Sequence, residues 1–260
     1  MSAPNRSTSL PGYLLIGYGF FCLGLVFSLS HHSPSTSTAV PAPTVEPLPD
    51  FAAFKNTSEK KRAFFNYLRP AIDRQNRQLR HMREWLQSQQ RQLNAGKPLT
   101  PAQLEKLHQL GKQFRLDSTD PRQLVDALVT RADELPAALV LAQAALESAW
   151  GTSRFAKEGN NLFGQWCFTP GCGMVPRNRA PGKSHEVQIF SNVGEAIDAY
   201  FFNINTHVAY AELRHLRSQA RQKQQPLRGS DLAAGLQQYS EQGARYTDKV
   251  RTMIRRNQLE

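Results

Sequence analysis

Hydrophobic residues recur every three to four positions along residues 58–93, at Phe64, Phe65, Leu68, Ile72, Leu79, Met82, Trp85, Leu86 and Leu93. That spacing predicts a long amphipathic helix, which Pro70 should kink or divide. Thr100-Pro101-Ala102-Gln103 and Asp120-Pro121-Arg122-Gln123 both read as capping-box starts with proline in the first turn, so a helix is expected after each. Over residues 136–150 the pattern changes. Leu139, Val140, Leu141, Ala142, Ala144, Ala145, Leu146 and Ala149 make this stretch apolar almost all round, the mark of a buried helix. A loop is expected from there to about Gly173, followed by a β-hairpin. In it His185, Val187 and Ile189 alternate with Glu186, Gln188 and Phe190 after an Ala180-Pro181-Gly182-Lys183 turn. Helices return at 193–205 behind a Ser191 cap, through Leu213 and Leu216, over 232–239, and around Val250, Met253 and Ile254. The fold class is α+β, predominantly α, with one small sheet.

The N-terminal part reads differently. Residues 13–29 carry no charged side chain, Arg6 is the only basic residue before them, and the next basic residue is Lys55. At about 1.5 Å per residue the run spans roughly 25 Å, slightly short of a hydrocarbon core about 30 Å thick. Its charge bias places the N-terminus inside and everything after it outside. Ser28-Leu29-Ser30 weakly resembles a signal-peptidase site, but the run is longer than a usual signal core of about 7–15 residues. We therefore expect a single-pass inner-membrane anchor with the C-terminal domain in the periplasm, or export if the segment is cleaved. Gly19-Phe20-Phe21-Cys22 lacks the small residues of a lipoprotein signal. The expected division is 1–30 for the N-terminus and anchor or signal, 31–57 for a Pro/Ser/Thr-rich linker, 58–120 for a basic helical extension, and 121–260 for the main domain.

Composition narrows the class. With 260 residues, 40% hydrophobic and 20% charged, the chain is globular and neither disordered, collagen-like nor many-span. Its net charge of +11 admits a polyanionic partner. Most of the surplus lies in residues 55–120, which hold 14 basic against 6 acidic side chains. This region is either a solvated helix face or a surface attracted to anionic wall polymer or lipid. Nucleic acid is not expected, because zinc-finger spacing and a strand-borne aromatic RNA-binding motif are both missing from the sequence. Cys167 and Cys172 flank a Thr-Pro-Gly turn, and in an oxidising compartment they are expected to pair. So short a loop contributes only about 2 kcal/mol by chain entropy. His185, His207 and His215 show no metal-site spacing, so neither metal nor cofactor is expected.

Glu147 is the residue that calls for chemistry. It enters the last turn of the apolar helix between Leu146 and Ser148, with Gln143 one turn earlier as the nearest polar side chain on its face. Desolvation and the negative end of the helix dipole both favour the protonated acid. A general acid for glycosidic cleavage needs such a group. The alternative is a structural Glu paired with an arginine such as Arg154.

Residues 142–151, AQAALESAWG, followed by Asn161-Leu162-Phe163-Gly164, resemble the opening of the glucosaminidase domain of glycoside hydrolase family 73. Tyr239-Ser240-Glu241 and Arg245-Tyr246-Thr247-Asp248-Lys249-Val250 resemble its closing segment. The cysteine pair and the helical extension are similar to the Bax-type branch of that family. The resemblance covers roughly residues 124–258. It implies a lysozyme-like domain whose helix-borne Glu lines a cleft between an α-lobe and a small β-hairpin lobe. It also implies cleavage of peptidoglycan between N-acetylglucosamine and N-acetylmuramic acid. On this resemblance Glu147 is the proton donor and Tyr246 stands near the reacting sugar. Asn161 and Phe163 shape the cleft wall or hold the loop, and Tyr239 belongs to the substrate-binding set. Trp166 and Phe168 are either sugar platforms or core. Many family members carry an acid on the first strand of the β-lobe, yet residues 171–179 contain none. Glu186 is the candidate second carboxylate. Without one, an inverting reaction with a distant base, attack by the sugar's own 2-acetamido group, a lytic transglycosylase and a catalytically silent wall binder all stay open.

Overall fold

A computed structural model describes residues 46–177, 179 and 182–260. The apolar run at 13–29 and most of the linker lie outside them, as do Ala180 and Pro181 of the expected turn. Among the described residues no helix is long and apolar enough to cross a membrane.

Helix α1 runs over Thr57–Asn94, with Asn56 Oδ1 capping the amides of Ser58 and Glu59. Pro70 does not divide it. An interior proline costs about 3 kcal/mol or more, but Phe64, Leu68, Ile72 and Leu86 are each fully buried on one face of the helix. Each such side chain contributes roughly 1.5–3 kcal/mol, so packing against the helices at Pro121–Arg131, Ala137–Glu147 and Val193–Thr206 outweighs the lost hydrogen bond. Helix α2 (Pro101–Gln113) starts on the expected reciprocal box between Thr100 and Gln103. Helix α3 (Pro121–Arg131) has only half of one: Asp120 accepts from Arg122 N, while the Gln123 side chain turns to Ser118.

Helix α4 (Ala137–Glu147) has residues 138–145 all buried and forms the centre of the core, as its apolar pattern requires. It ends three residues before Trp150, because Ala149, Trp150 and Gly151 all adopt positive φ. A short helix, α5 (Arg154–Gly159), follows where a loop was expected; six residues are too few to carry a period.

The expected hairpin is instead a three-stranded antiparallel sheet. Strands β1 (Trp166–Cys167) and β2 (Gly173–Met174) flank a central β3 (Glu186–Gln188), with Trp166 opposite Val187 and Gly173 opposite Gln188. A Cβ on Gly173 would lie 2.1 Å from the Val187 carbonyl, so this pairing needs glycine. The Cys167–Cys172 disulfide is formed and ties β1 to the approach of β2.

Helix α6 (Val193–Thr206) is capped by Asn192 rather than Ser191. Its Glu195 carboxylate accepts the Ser191 amide in return. Helices α7 (Ala211–Gln222), α8 (Gly229–Leu232) and α9 (Ala244–Arg256) complete the chain. Residues 232–239 do not form the single helix expected: α8 passes into a 3-10 turn over Ala233–Leu236.

One buried polar cluster fastens these helices. Asp133, 2% exposed, bonds Arg221 at 2.8 Å, and Arg83 and Arg217 stand at 3.4 and 3.8 Å. Arg217 is fully enclosed and donates to the carbonyls of Thr130, Arg131, Asp133 and Glu134 and to Asn205 Oδ1. Burial pushes the Asp133 carboxyl up, but the three arginines outweigh it and hold the group below the usual range.

Candidate active site

Glu147 is the last residue of α4, half-buried, with its backbone fixed from both sides. Ser148 Oγ donates to the Ala144 carbonyl at 2.6 Å and accepts from Gly151 N at 2.8 Å. Trp150 packs edge-on against Phe64 and tilted against Phe65, with ring centroids 5.8 and 5.2 Å away. Gly151 sits at φ +75°, and a Cβ there would come within 2.6 Å of the Phe51 ring. The Trp-Gly pair after the acid therefore has a physical reason: the indole and the missing side chain let the turn settle on an aromatic bed from α1 and its lead-in.

The Glu147 side chain stands at the end of a directed hydrogen-bond chain. The Tyr200 hydroxyl donates to Gln143 Oε1, Gln143 Nε2 donates to Tyr246 Oη at 2.9 Å, and the Tyr246 hydroxyl donates to Glu147 Oε1 at 2.7 Å. Tyr239 stacks on Tyr246 with centroids 5.2 Å apart and planes 5° from parallel, and its hydroxyl donates to the Phe163 carbonyl at 2.7 Å. The other carboxylate oxygen faces Gly164; a Cβ there would be 3.9 Å from Oε2, and the backbone has φ +66°. Oε2 accepts no hydrogen bond and is not among the enclosed polar atoms of the described residues.

Electrostatics follow from this packing. Burial pushes the Glu147 carboxyl above its ordinary value, and the Tyr246 hydrogen bond and the Lys249 charge only partly pull it back. Burial also raises the surrounding phenols, aided by the Glu147 charge: Tyr210 is pushed up to about 12, and Tyr200, Tyr239 and Tyr246 lie well above the ordinary tyrosine value. All four remain neutral donors at physiological pH. Arg154 is not Glu147's partner: it stands 3.6 Å from Glu158 and donates to the Val175 carbonyl.

The structure brings Glu147, Tyr246 and Tyr239 together and places the other candidates apart in kind. Asn161 is 1% exposed and uses its whole amide inside the loop. Its Nδ2 donates to the carbonyls of Gln165 and Gln188, and its Oδ1 accepts from the amides of Phe163 and Gln165. Phe163, 2% exposed, stacks on Tyr200 at 4.2 Å. Asn161 ties the Asn-Leu-Phe-Gly turn to β3 and Phe163 packs it on α6, so of the two roles expected for them the contacts match holding the loop. Trp166 is 57% exposed on β1, with one ring face on His185 at 4.0 Å.

Glu186, the candidate second carboxylate, lies on β3 and is bonded to backbone. Its two oxygens accept the amides of Gly171 and Gly173 at 3.1 and 2.8 Å, and these bonds hold its carboxyl below the usual range. It clamps the β1–β2 connection. Tyr200 and Gly164 escaped sequence reasoning: Tyr200 sits within an apolar helix stretch, and the glycine's part depends on which oxygen it faces.

Comparison with known proteins gives three findings. Residues 127–259 match the family model for glucosaminidase, described as mannosyl-glycoprotein endo-beta-N-acetylglucosaminidase. Protein bax of Escherichia coli is 34% identical over 213 residues, covering 81% of this chain and 74% of that protein. Among solved structures, the catalytic domain of the autolysin Auto from Listeria monocytogenes is 20% identical. That match covers 66% of this chain and 94% of that one at a TM-score of 0.35, an overlap too low to establish a shared fold.

Proposed function

This chain belongs to the glucosaminidase family, and from that premise we propose that it is a peptidoglycan hydrolase. It cleaves the β-1,4 bond between N-acetylglucosamine and N-acetylmuramic acid, with Glu147 as general acid. The observation that carries the reading is a half-buried carboxyl with a raised pKa, oriented by a phenol and free of a hydrogen-bond partner on its other oxygen. A helix-borne acid beside a small sheet suits a lysozyme-like hydrolase. The disulfide fits an oxidising compartment, and an exported or membrane-anchored chain would meet the wall there.

Tyr246 occupies Oε1, so the transferable proton sits on Oε2, on the side of Gly164. Glu147 gives that proton to the glycosidic oxygen as its bond to the anomeric carbon breaks. Among the described residues Glu147 is the only carboxylate in this hydrogen-bonded chain, and Glu186 is committed to backbone amides. The substrate's own 2-acetamido oxygen therefore supplies the attacking group. Water then opens the resulting ring and returns a proton to Glu147, so one carboxyl serves as acid and then as base. Trp166 offers its free face as a sugar platform.

The test is mass spectrometry of purified wall after digestion. New reducing N-acetylglucosamine ends are expected. Anhydro ends would instead support a lytic transglycosylase, the second reading that a lone carboxyl favours, with the sugar's own hydroxyl replacing water. Wall pulled down without any new ends would mark a silent binder and reject the enzyme.

Tyr246→Phe tests the orienting bond. The hydroxyl stabilises the charged carboxylate, so its removal pushes the Glu147 pKa further up. A general acid stays competent up to its pKa. The alkaline limb of the kcat/KM profile should thus move to higher pH even as the maximal rate falls. An unmoved limb would mean that Tyr246 does not tune the acid.

A further inference from the structure

Beside the acid lies a cavity of about 520 Å³ between α1, the turn at Trp150 and α9. Lys61, Arg245, Lys249 and Arg256 line it, with Asp248 as its single acid. Asp248 already has a cation 3.6 Å away in Arg251, so it does not neutralise the others. Lys61, Arg245 and Arg256 form no salt bridge among the described residues. Lys61 Nζ stands 5.0 Å from the centroid of the Trp150 ring, which gives the cavity an apolar wall beside its charge. Gathering cations in a concavity without counter-charge is unfavourable until an anion enters, and concave low-dielectric walls strengthen that attraction. Leu146 of the lining directly precedes Glu147, and Lys249 is near enough to Glu147 to lower its pKa.

We propose that this cavity seats the carboxylate-bearing peptide stem of the glycan strand whose sugar bond Glu147 cuts. The proposal rests on the wall-polymer reading above. A stem hangs from every second sugar and carries both free carboxylates and apolar alanyl groups. The cavity offers the complement of both, one residue from the acid and within the size range of ligand pockets.

The test uses the full chain and an Arg245→Gln/Arg256→Gln variant whose folding is checked by its thermal transition. In the first arm, calorimetry measures binding of the free tripeptide alanyl-γ-glutamyl-diaminopimelate and of the same peptide with its carboxylates amidated. The free peptide is expected to bind, the amidated one not, and the variant should weaken binding about tenfold for two lost cations. Equal binding of both peptides, equal binding by both proteins, or no binding at all would overturn the proposal. So would variant-sensitive binding of anionic phospholipid vesicles in preference to the peptide, which would assign the cavity to a membrane surface.

In the second arm, cleavage is compared on glycan strands with stems and on strands stripped of them. The proposal expects the wild type to prefer stem-bearing strands and the variant to lose most of that preference. If the preference is absent or survives in the variant, the cavity is not a stem seat, although the hydrolase stands. If the wild type cuts neither strand, the hydrolase reading fails, and the first arm still decides the cavity.

Discussion

Glu147→Gln is expected to lower the release of reducing ends from purified wall by about 10²–10⁴-fold, the usual contribution of a positioned general acid. Glutamine keeps the shape and still offers Oε1 to the Tyr246 hydroxyl, so what it removes is the proton on Oε2. Stability should move the other way. A carboxyl whose folded pKa lies above its unfolded value stabilises the fold only at low pH, and that contribution is lost as pH rises through the folded pKa. At neutral pH the neutral amide carries no such penalty, so the variant should unfold at the same temperature as the parent or slightly higher. Near-complete loss of activity with unchanged or raised Tm marks a chemical role. Unchanged activity would remove Glu147 from the mechanism.

Asp133→Asn is expected to cost about 3–5 kcal/mol of unfolding free energy, because it strands a fully buried guanidinium without its counter-charge. Arg217 joins the α3–α4 loop to α6 and α7 through the carbonyls it binds, so the damage should reach the whole fold rather than one edge. The pH dependence has the opposite sign to that of Glu147. The Asp133 pKa is depressed in the folded protein, so its stabilisation is complete above the ordinary carboxyl value of 3.8 and is lost as pH falls through the lower folded value. Denaturant titrations at neutral and acid pH should show the parent losing stability across that window and the variant changing less. A cost below about 1 kcal/mol would mean that the arginine finds water or another acceptor.

How much of this was legible in the sequence varied with how local the cause was. Helix α4 was readable because an all-apolar turn has only one place to go, and Gln143, Glu147 and Tyr246 could be picked out by pattern and by family resemblance. The apolar pattern runs three residues past the true end of α4. The positive φ at Ala149 and Trp150 goes with the packing of Trp150 on Phe64 and Phe65 from elsewhere in the chain, and neither residue type announces it. Pro70 looked like a break and is not, because side chains far along the chain hold both halves of α1. Strands of two or three residues carry too few positions for alternation to register, and the amides that Glu186 accepts lie across the sheet, beyond the reach of local pattern. Arg217 is the clearest loss: among the basic residues of α7 it reads as a solvated charge, yet it is the most enclosed cation of the fold.

The aromatic bed beneath Trp150 bears on where this folding unit begins. The family match starts at residue 127, whereas Phe51, Phe64 and Phe65 come from well before it. A fragment trimmed to the match would leave the indole and its neighbouring turn facing water, and the acid's supporting backbone would lose its floor. Evolutionary and mechanical boundaries thus diverge here: the shared glucosaminidase segment carries Glu147, and the residues before it carry the ring packing that fixes the turn behind that side chain.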